Sequence, residues 1–404
     1  MFGALSNRQF RLLWLGSLSA FIGFFASNVV QAVVAFKLAG RNDAVGSVVF
    51  GRGLAQVMFA PIGGALADRI SKRSILLSTQ SVTAAVFFVL AWLAASEQLS
   101  VLHLAVGGFF VGLTFAMLGP ARSAYVLELV EPERQANAIA LNQVALNASR
   151  VLGPALGGAL VAWRAVGAAG AFVLMGVAYL GAVVTQGFLP RTAPRAEAGQ
   201  KSVLSDIVAG FTYVREHAEL RALLLMFVLA VMFGFPHVTV LPGIVEHQLH
   251  ADSSKVSVLF GVAAFGGLIA SVVMARFADS PRVLELYRAS GLAFGASLVL
   301  LWPTHDLTTA SCVMFLVGLT SGSFMTLNGS VLLRHTDPRY MGRVMSLAML
   351  AFGGFGLLGL PFGFLADHAG EGPAVGVMGA CVIASVLWQS AALRRARRNA
   401  GHAE

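Results

Sequence analysis

The chain reads as a succession of long apolar stretches, each closed by a short polar break. About 20 consecutive apolar residues match the thickness of a bilayer core, so each stretch predicts a membrane-spanning helix. Twelve such helices are predicted, near residues 12–36, 45–67, 75–95, 101–127, 137–162 and 167–189, then 219–242, 255–278, 284–302, 307–333, 341–366 and 373–393. The runs are unbroken rather than alternating, which excludes a membrane β-barrel. The longest break holds Pro190, Arg191, Pro194, Arg195, Glu197 and Lys201. It divides the chain into an N-terminal six-helix bundle over 1–189, a cytoplasmic linker over 190–218, a C-terminal six-helix bundle over 219–393 and a basic tail over 394–404. The fold class is therefore all-α, with two six-helix bundles in a membrane.

Within the linker, Val203, Leu204, Ile207, Val208, Phe211 and Val214 fall at helical spacing behind Ser202 as a candidate cap. Asp206, Arg215 and Glu216 occupy the other face, so 202–216 reads as a helix lying on the cytoplasmic interface. A simple solvated tether is the alternative. The two halves echo each other: Pro132, Gly153 and Gly157 recur 206 residues later as Pro338, Gly359 and Gly363. Gly64-Ala-Leu-Ala-Asp68 is similarly matched by Ala275-Arg-Phe-Ala-Asp279. Such internal duplication characterises secondary transporters.

Composition supports this picture. Hydrophobic residues make up 57% of the 404 positions and charged residues only 12%, about half the charged share of an ordinary soluble protein. The net charge of +9 would suggest nucleic acid if it were clustered on one face. Instead Arg8, Arg11, Arg69, Lys72, Arg73, Arg334, Arg339, Arg343 and the tail arginines fall in alternate loops and at the termini. That distribution places both termini in the cytoplasm. It makes the lipid bilayer the partner, with no nucleic acid. Cys312 and Cys381 lie inside apolar runs and read as buried small hydrophobes without a disulfide.

The strongest local signal is Gly64-Ala-Leu-Ala-Asp68-Arg69-Ile70-Ser71-Lys72-Arg73. A glycine one turn before an aspartate lets two helix ends approach closely, and the carboxylate then pairs with a cation or a helix N-terminus. Gly64, Asp68, Arg69, Lys72 and Arg73 are therefore candidates for an inner gate. A basic loop that only sets topology is the other reading. The signature resembles the loop between the second and third helices of the major facilitator superfamily, with Ser71 where a glycine is usual. Gly119-Pro-Ala-Arg122, Leu129-Val-Glu-Pro-Glu-Arg134, Arg150-Val-Leu-Gly-Pro-Ala-Leu-Gly-Gly158, Gly210-Phe-Thr-Tyr-Val-Arg215 and Gly342-Arg-Val-Met-Ser346 extend the likeness along the whole chain. Together they are similar to the drug and siderophore exporter branch, which includes the enterobactin exporter and macrolide efflux proteins.

The resemblance implies the major facilitator fold, alternating access between the two halves, and export of a small amphipathic or anionic molecule such as a drug or siderophore. Import of a nutrient by the same fold is the nearer rival, and a membrane receptor or sensor the remote one. It also implies that Gly153, Pro154, Gly157 and Gly158 form the helix-5 bend of exporters. Physically, the proline removes a backbone hydrogen bond while the glycines permit close packing. The implied cavity is lined by helices 1, 4, 7 and 10. Arg52 and Arg150 are the sharpest candidates there, since an arginine within a span normally faces a partner or a wet cavity. Asn28, Gln31, Gln56, Asn142, Asn147, His237 and Asn328 complete the candidate pathway. Bracing of the two halves is the competing role for both arginines.

None of the 19 acidic residues reads as mid-membrane; Asp68, Glu128, Asp279 and Asp367 lie at helix ends. Related exporters often carry an acidic residue after a glycine in helix 1, whereas Gly23 is followed here by Phe24 and Phe25. Protons remain the candidate coupling ion, with His237 as a titratable group or, alternatively, a structural histidine. Glu246, His247 and His250 have a metal-compatible spacing but read as a solvated outer loop. The chain lacks the nucleophile elbow, the phosphate-binding loop and the zinc-protease pair. It is thus expected to be no enzyme and no ATP-driven pump, to need no cofactor or metal, and to work as a monomer in a bacterial-type inner membrane.

Overall fold

A computed structural model describes residues 3–163, 166–191, 203–252, 255–337 and 340–401. The expected cap Ser202, the linker residues Pro194, Arg195, Glu197 and Lys201, and Arg164, Pro338 and Arg339 lie outside the described residues, as do the side chains of Gly64, Asp68, Arg69 and Asn147. The first six long helices are α1 (Arg8–Ala39), α2 (Asn42–Arg69), α3 (Lys72–Ala95), α4 (Val101–Leu129), α5 (Pro132–Ala162) and α6 (Gly167–Gly187). Then come the linker helix α7 (Val203–Glu216), α8 (Ala218–Gly234), α9 (His237–Gly243), α10 (Val256–Ala275), α11 (Val283–Leu301), α12 (Leu307–His335), α13 (Met341–Ala369) and α14 (Glu371–Gly401). No strand occurs among the described residues.

Among the described residues, eleven segments are long and apolar enough to cross a membrane. The twelfth helix of the set, α2, spans 28 residues but carries Asn42, Asp43, Arg52, Gln56 and Asp68. The seventh span, read as one run, is divided. Its helix α8 stops at Gly234 before Pro236, α9 follows, and residues Ile244–Gln248 close it in a π turn. Proline accounts for the division, because Pro236 and Pro242 each remove a backbone donor.

The chain packs as two compact units. The first comprises Met1–Ala39, Ser47–Val203 and Ser254–Ser257; the second comprises Gly40–Gly46, Leu204–Ser253 and Val258–Glu404. In the first unit α1 packs against α4, α5 and α6, and α3 against α4 and α6. In the second, α8 packs against α12, α13 and α14, and α11 against α12 and α14. Counted as spans, these are the same pairings: first with fourth, fifth and sixth, and third with fourth and sixth. The echo between the halves in the prolines and glycines thus has a counterpart in repeated packing. Small residues bring backbones together in both units. Gly51, Gly108 and Gly112 press α2 onto α4, and Gly266, Gly318 and Gly322 press α10 onto α12.

Large apolar side chains such as Leu102, Trp92, Trp163, Phe188 and Trp388 are exposed. In water such a surface would aggregate; in a bilayer it faces lipid, with tryptophans near helix ends as interfacial anchors. Cys312 is likewise exposed on α12, and Cys381 is half-buried on α14. A small hydrophobe within an apolar run serves a lipid-facing position as well as a core one. The stripe expected of the linker helix is split. Val208 and Phe211 of α7 are exposed, whereas Val214 is buried. The opposite side of α7 docks through Tyr213, whose ring stacks on Tyr340 at 4.1 Å. The Tyr213 hydroxyl also accepts the backbone N–H of Asp337 at 3.0 Å.

Candidate transport site

The first unit places one face of α1 at its interior. Ser17, Phe21, Phe24, Asn28 and Gln31 follow one another at helical spacings of three and four residues. Two arginines reach this face from other helices. Arg52 on α2 is 8% exposed, and its Nη2 donates to Gln31 Oε1 at 3.1 Å. Its guanidinium carbon lies 5.4 Å from the centre of the Phe24 ring, which in turn stacks on Phe115 at 4.0 Å. Arg122 on α4 is 3% exposed, with its guanidinium carbon 4.0 Å above the Phe21 ring. Tyr179 of α6 is buried against Gly23 of α1. The approach of α2 to α4 sets this arrangement, because Gly112 leaves room for the backbone carbonyl of Arg52.

The energetics of the two cations are unbalanced. Removing an ion from water costs several kcal/mol even after relaxation. One charge-assisted hydrogen bond returns about 1.5–3 kcal/mol, and a desolvated ring face about 2. Arg122 has the ring alone, and its Nε and Nη2 are buried with no hydrogen-bond partner among the described residues. Arg52 Nε and Gln31 Nε2 are buried and unpartnered too, and the same face of α1 carries two orphan oxygens, Asn28 Oδ1 and the Ser17 hydroxyl. The cluster is therefore rich in spare donors.

The other sequence candidates lie elsewhere. Arg150 is exposed on α5, unlike the buried pair. Asn142 and Gln56 are partly buried. On the same α5, Pro154 sits inside the helix, while Gly153 and Gly157 press against Phe25 and Ala26 of α1. A side chain at Gly158 would strike Ser257. At the start of α3, Lys72 is buried and pairs with Glu128 at 2.8 Å, and Arg73 donates to the Gly187 carbonyl. In the second unit, Asn328 accepts the Tyr287 hydroxyl at 3.1 Å. His237 donates from Nδ1 to the Gly234 carbonyl at 2.7 Å, supplying a partner where the chain breaks between α8 and α9.

Two features escaped the sequence reading. Arg122 is one. The other lies in the second unit, where residues 40–46 meet the end of α13. The Asp367 carboxylate accepts the backbone N–H groups of Asn42 and Asp43 at 2.7 and 2.8 Å, capping α2. Glu371 accepts from the Asn42 side chain at 2.9 Å and from His247 Nδ1 at 2.7 Å. Its signal was present: Gly363-Phe-Leu-Ala-Asp367 repeats the spacing of Gly64-Ala-Leu-Ala-Asp68.

Known proteins agree with this architecture. The Staphyloferrin A transporter of Staphylococcus aureus is 24% identical, over 86% of this chain and 87% of its own. Macrolide efflux protein A of Streptococcus pyogenes is 23% identical, with 88% of each chain covered. Among solved structures, the nucleoside transporter NupG superposes with a TM-score of 0.77 at 11% identity, covering 96% of this chain and 100% of its own. A POT family transporter in complex with 5-aminolevulinic acid gives 0.76 at 11% identity, over 96% and 97%. The pattern described as Major Facilitator Superfamily matches residues 13–360, so the chain belongs to that superfamily and is a multi-pass membrane transporter rather than an enzyme.

Proposed function

We propose that this transporter is a secondary exporter, moving a small amphipathic or anionic molecule out of the cytoplasm by alternating access and coupled to an ion gradient. Drugs, siderophores and related metabolites are the substrate range. The observation that carries the reading is the pair of buried arginines in the first unit, with donors to spare. Such an interior favours an oxyanion on an apolar body and disfavours an organic cation. The likeness to a macrolide efflux protein supports the outward direction, as do Pro154 inside α5 and the packing of Gly153 and Gly157 on α1. The protein acts as a monomer in a bacterial inner membrane, with both termini in the cytoplasm. Its two six-helix halves divide at the 190–218 linker, and Gly64, Asp68 and Arg69 form the inner gate.

Accumulation of candidate compounds in cells with and without the protein tests this. Expression should lower the cellular content of an anionic substrate, and collapse of the proton gradient should abolish the difference. Raised content would reverse the direction and make the protein an importer. Preferential clearance of quaternary ammonium dyes would overturn the substrate class.

A further inference from the structure

We propose that Arg52 and Arg122 form a single anion seat inside the first unit, for a soluble organic oxyanion carried on an aromatic or apolar body. The inference rests on the transport reading and names the substrate class of its site. Both guanidiniums lie against consecutive phenyl rings of one helix face, Phe24 at 5.4 Å and Phe21 at 4.0 Å. Three unpartnered arginine nitrogens are buried there, Arg52 Nε with Nε and Nη2 of Arg122, and Gln31 Nε2 adds a fourth donor. A carboxylate offers about four lone-pair sites and accepts planar guanidinium forks in pairs, so it answers that donor set where a neutral hydroxyl does not. The stacked pair Phe24 and Phe115, 4.0 Å apart, makes the surroundings of the Arg52 guanidinium aromatic, which suits an apolar body on the anion. Arg122 is the decisive member. It makes no hydrogen bond to a described residue, whereas Arg52 already holds Gln31.

The test uses the full chain in phosphatidylcholine nanodiscs, titrated with 1-naphthoate and with its neutral counterpart 1-naphthalenemethanol while the thermal midpoint is followed. Naphthoate should raise the midpoint at concentrations where the alcohol does not. R122Q and R52Q should each weaken naphthoate at least about tenfold, the scale of one charge-assisted contact. R122K, retaining the charge but not the fork, should fall between. The two glutamine losses should be less than additive, since both side chains grip one group. Equal effects of acid and alcohol on the native protein would overturn the seat, and that comparison needs no variant to fold. Unchanged naphthoate affinity in R122Q would overturn it as well. Replacing part of the phosphatidylcholine by phosphatidylglycerol should leave the titration unmoved; displacement of naphthoate would hand the seat to a lipid headgroup and overturn the soluble class. Binding in nanodiscs needs no gradient and has no direction, so the export reading can fail while the seat stands, and the reverse.

Discussion

At Arg150 and Arg122 the same residue type meets opposite environments, exposed on α5 and 3% exposed on α4. Arg150→Gln removes the charge from a mid-span position, where an arginine normally faces a partner or a wet cavity. If Arg150 faces the pathway, the same variant should slow export of an anionic substrate more than that of a neutral one. Native export rates in a well-folded R150Q would remove it from the pathway. Arg52 was legible because a charge in the middle of an apolar run has few places to go. Arg122 was not, because it lies close to the end of its run, seven positions before Leu129. Long side chains on a helix lean toward its N-terminus, which carries that guanidinium away from the helix end and over Phe21. Position along the chain and depth of the charged atom are different quantities.

Among the elements, α7 separates two roles that its sequence confounds. Tyr213 stacks on Tyr340 and accepts from Asp337, whereas Phe211 projects outward at 63% exposure. Phe211→Glu should weaken adsorption of this segment to lipid and accelerate proteolysis in the linker, with the thermal midpoint unmoved. Tyr213→Ala should accelerate the same cleavage and lower the midpoint, because it removes docking. Identical behaviour of the two variants would return α7 to the status of a tether. The long helices were readable from hydropathy because the bilayer demands length and apolarity of each one. The break between α8 and α9 was only half readable. Pro236 announces it, but the use of His237 to satisfy the Gly234 carbonyl is a three-dimensional matter. Periodicity likewise gave α7 one apolar stripe, while stacking with a distant tyrosine decided which side docks.

On the scale of the molecule, two Gly-x-x-x-Asp sequences, at Gly64–Asp68 and Gly363–Asp367, end α2 and α13. If Asp68 holds the inner gate, Asp68→Asn should increase labelling of cysteines placed on the cytoplasmic side of the cavity, with expression intact. A state preference amounts to a few kcal/mol, so one charge-assisted contact of about 1.5–3 kcal/mol moves it. Asp367→Ala should cost about 0.5–2 kcal/mol locally, as loss of a helix cap does. Hydrogen exchange over residues 42–46 should rise accordingly, and retained protection there would show that the cap carries no weight. The Asp367 cap lies in a stretch that belongs to the second unit, although α2 continues into the first from Ser47. Reciprocally, Ser254–Ser257 belongs to the first unit, where Gly158 leaves room for Ser257. What was duplicated along the chain and what packs as a body are thus different stretches. Two contiguous fragments cut at the linker would each carry away a few residues that complete the other. They would make poor interchangeable modules: grafting either half onto a related transporter means transplanting the loop at 40–46 or 254–257 with its host, not with its own half.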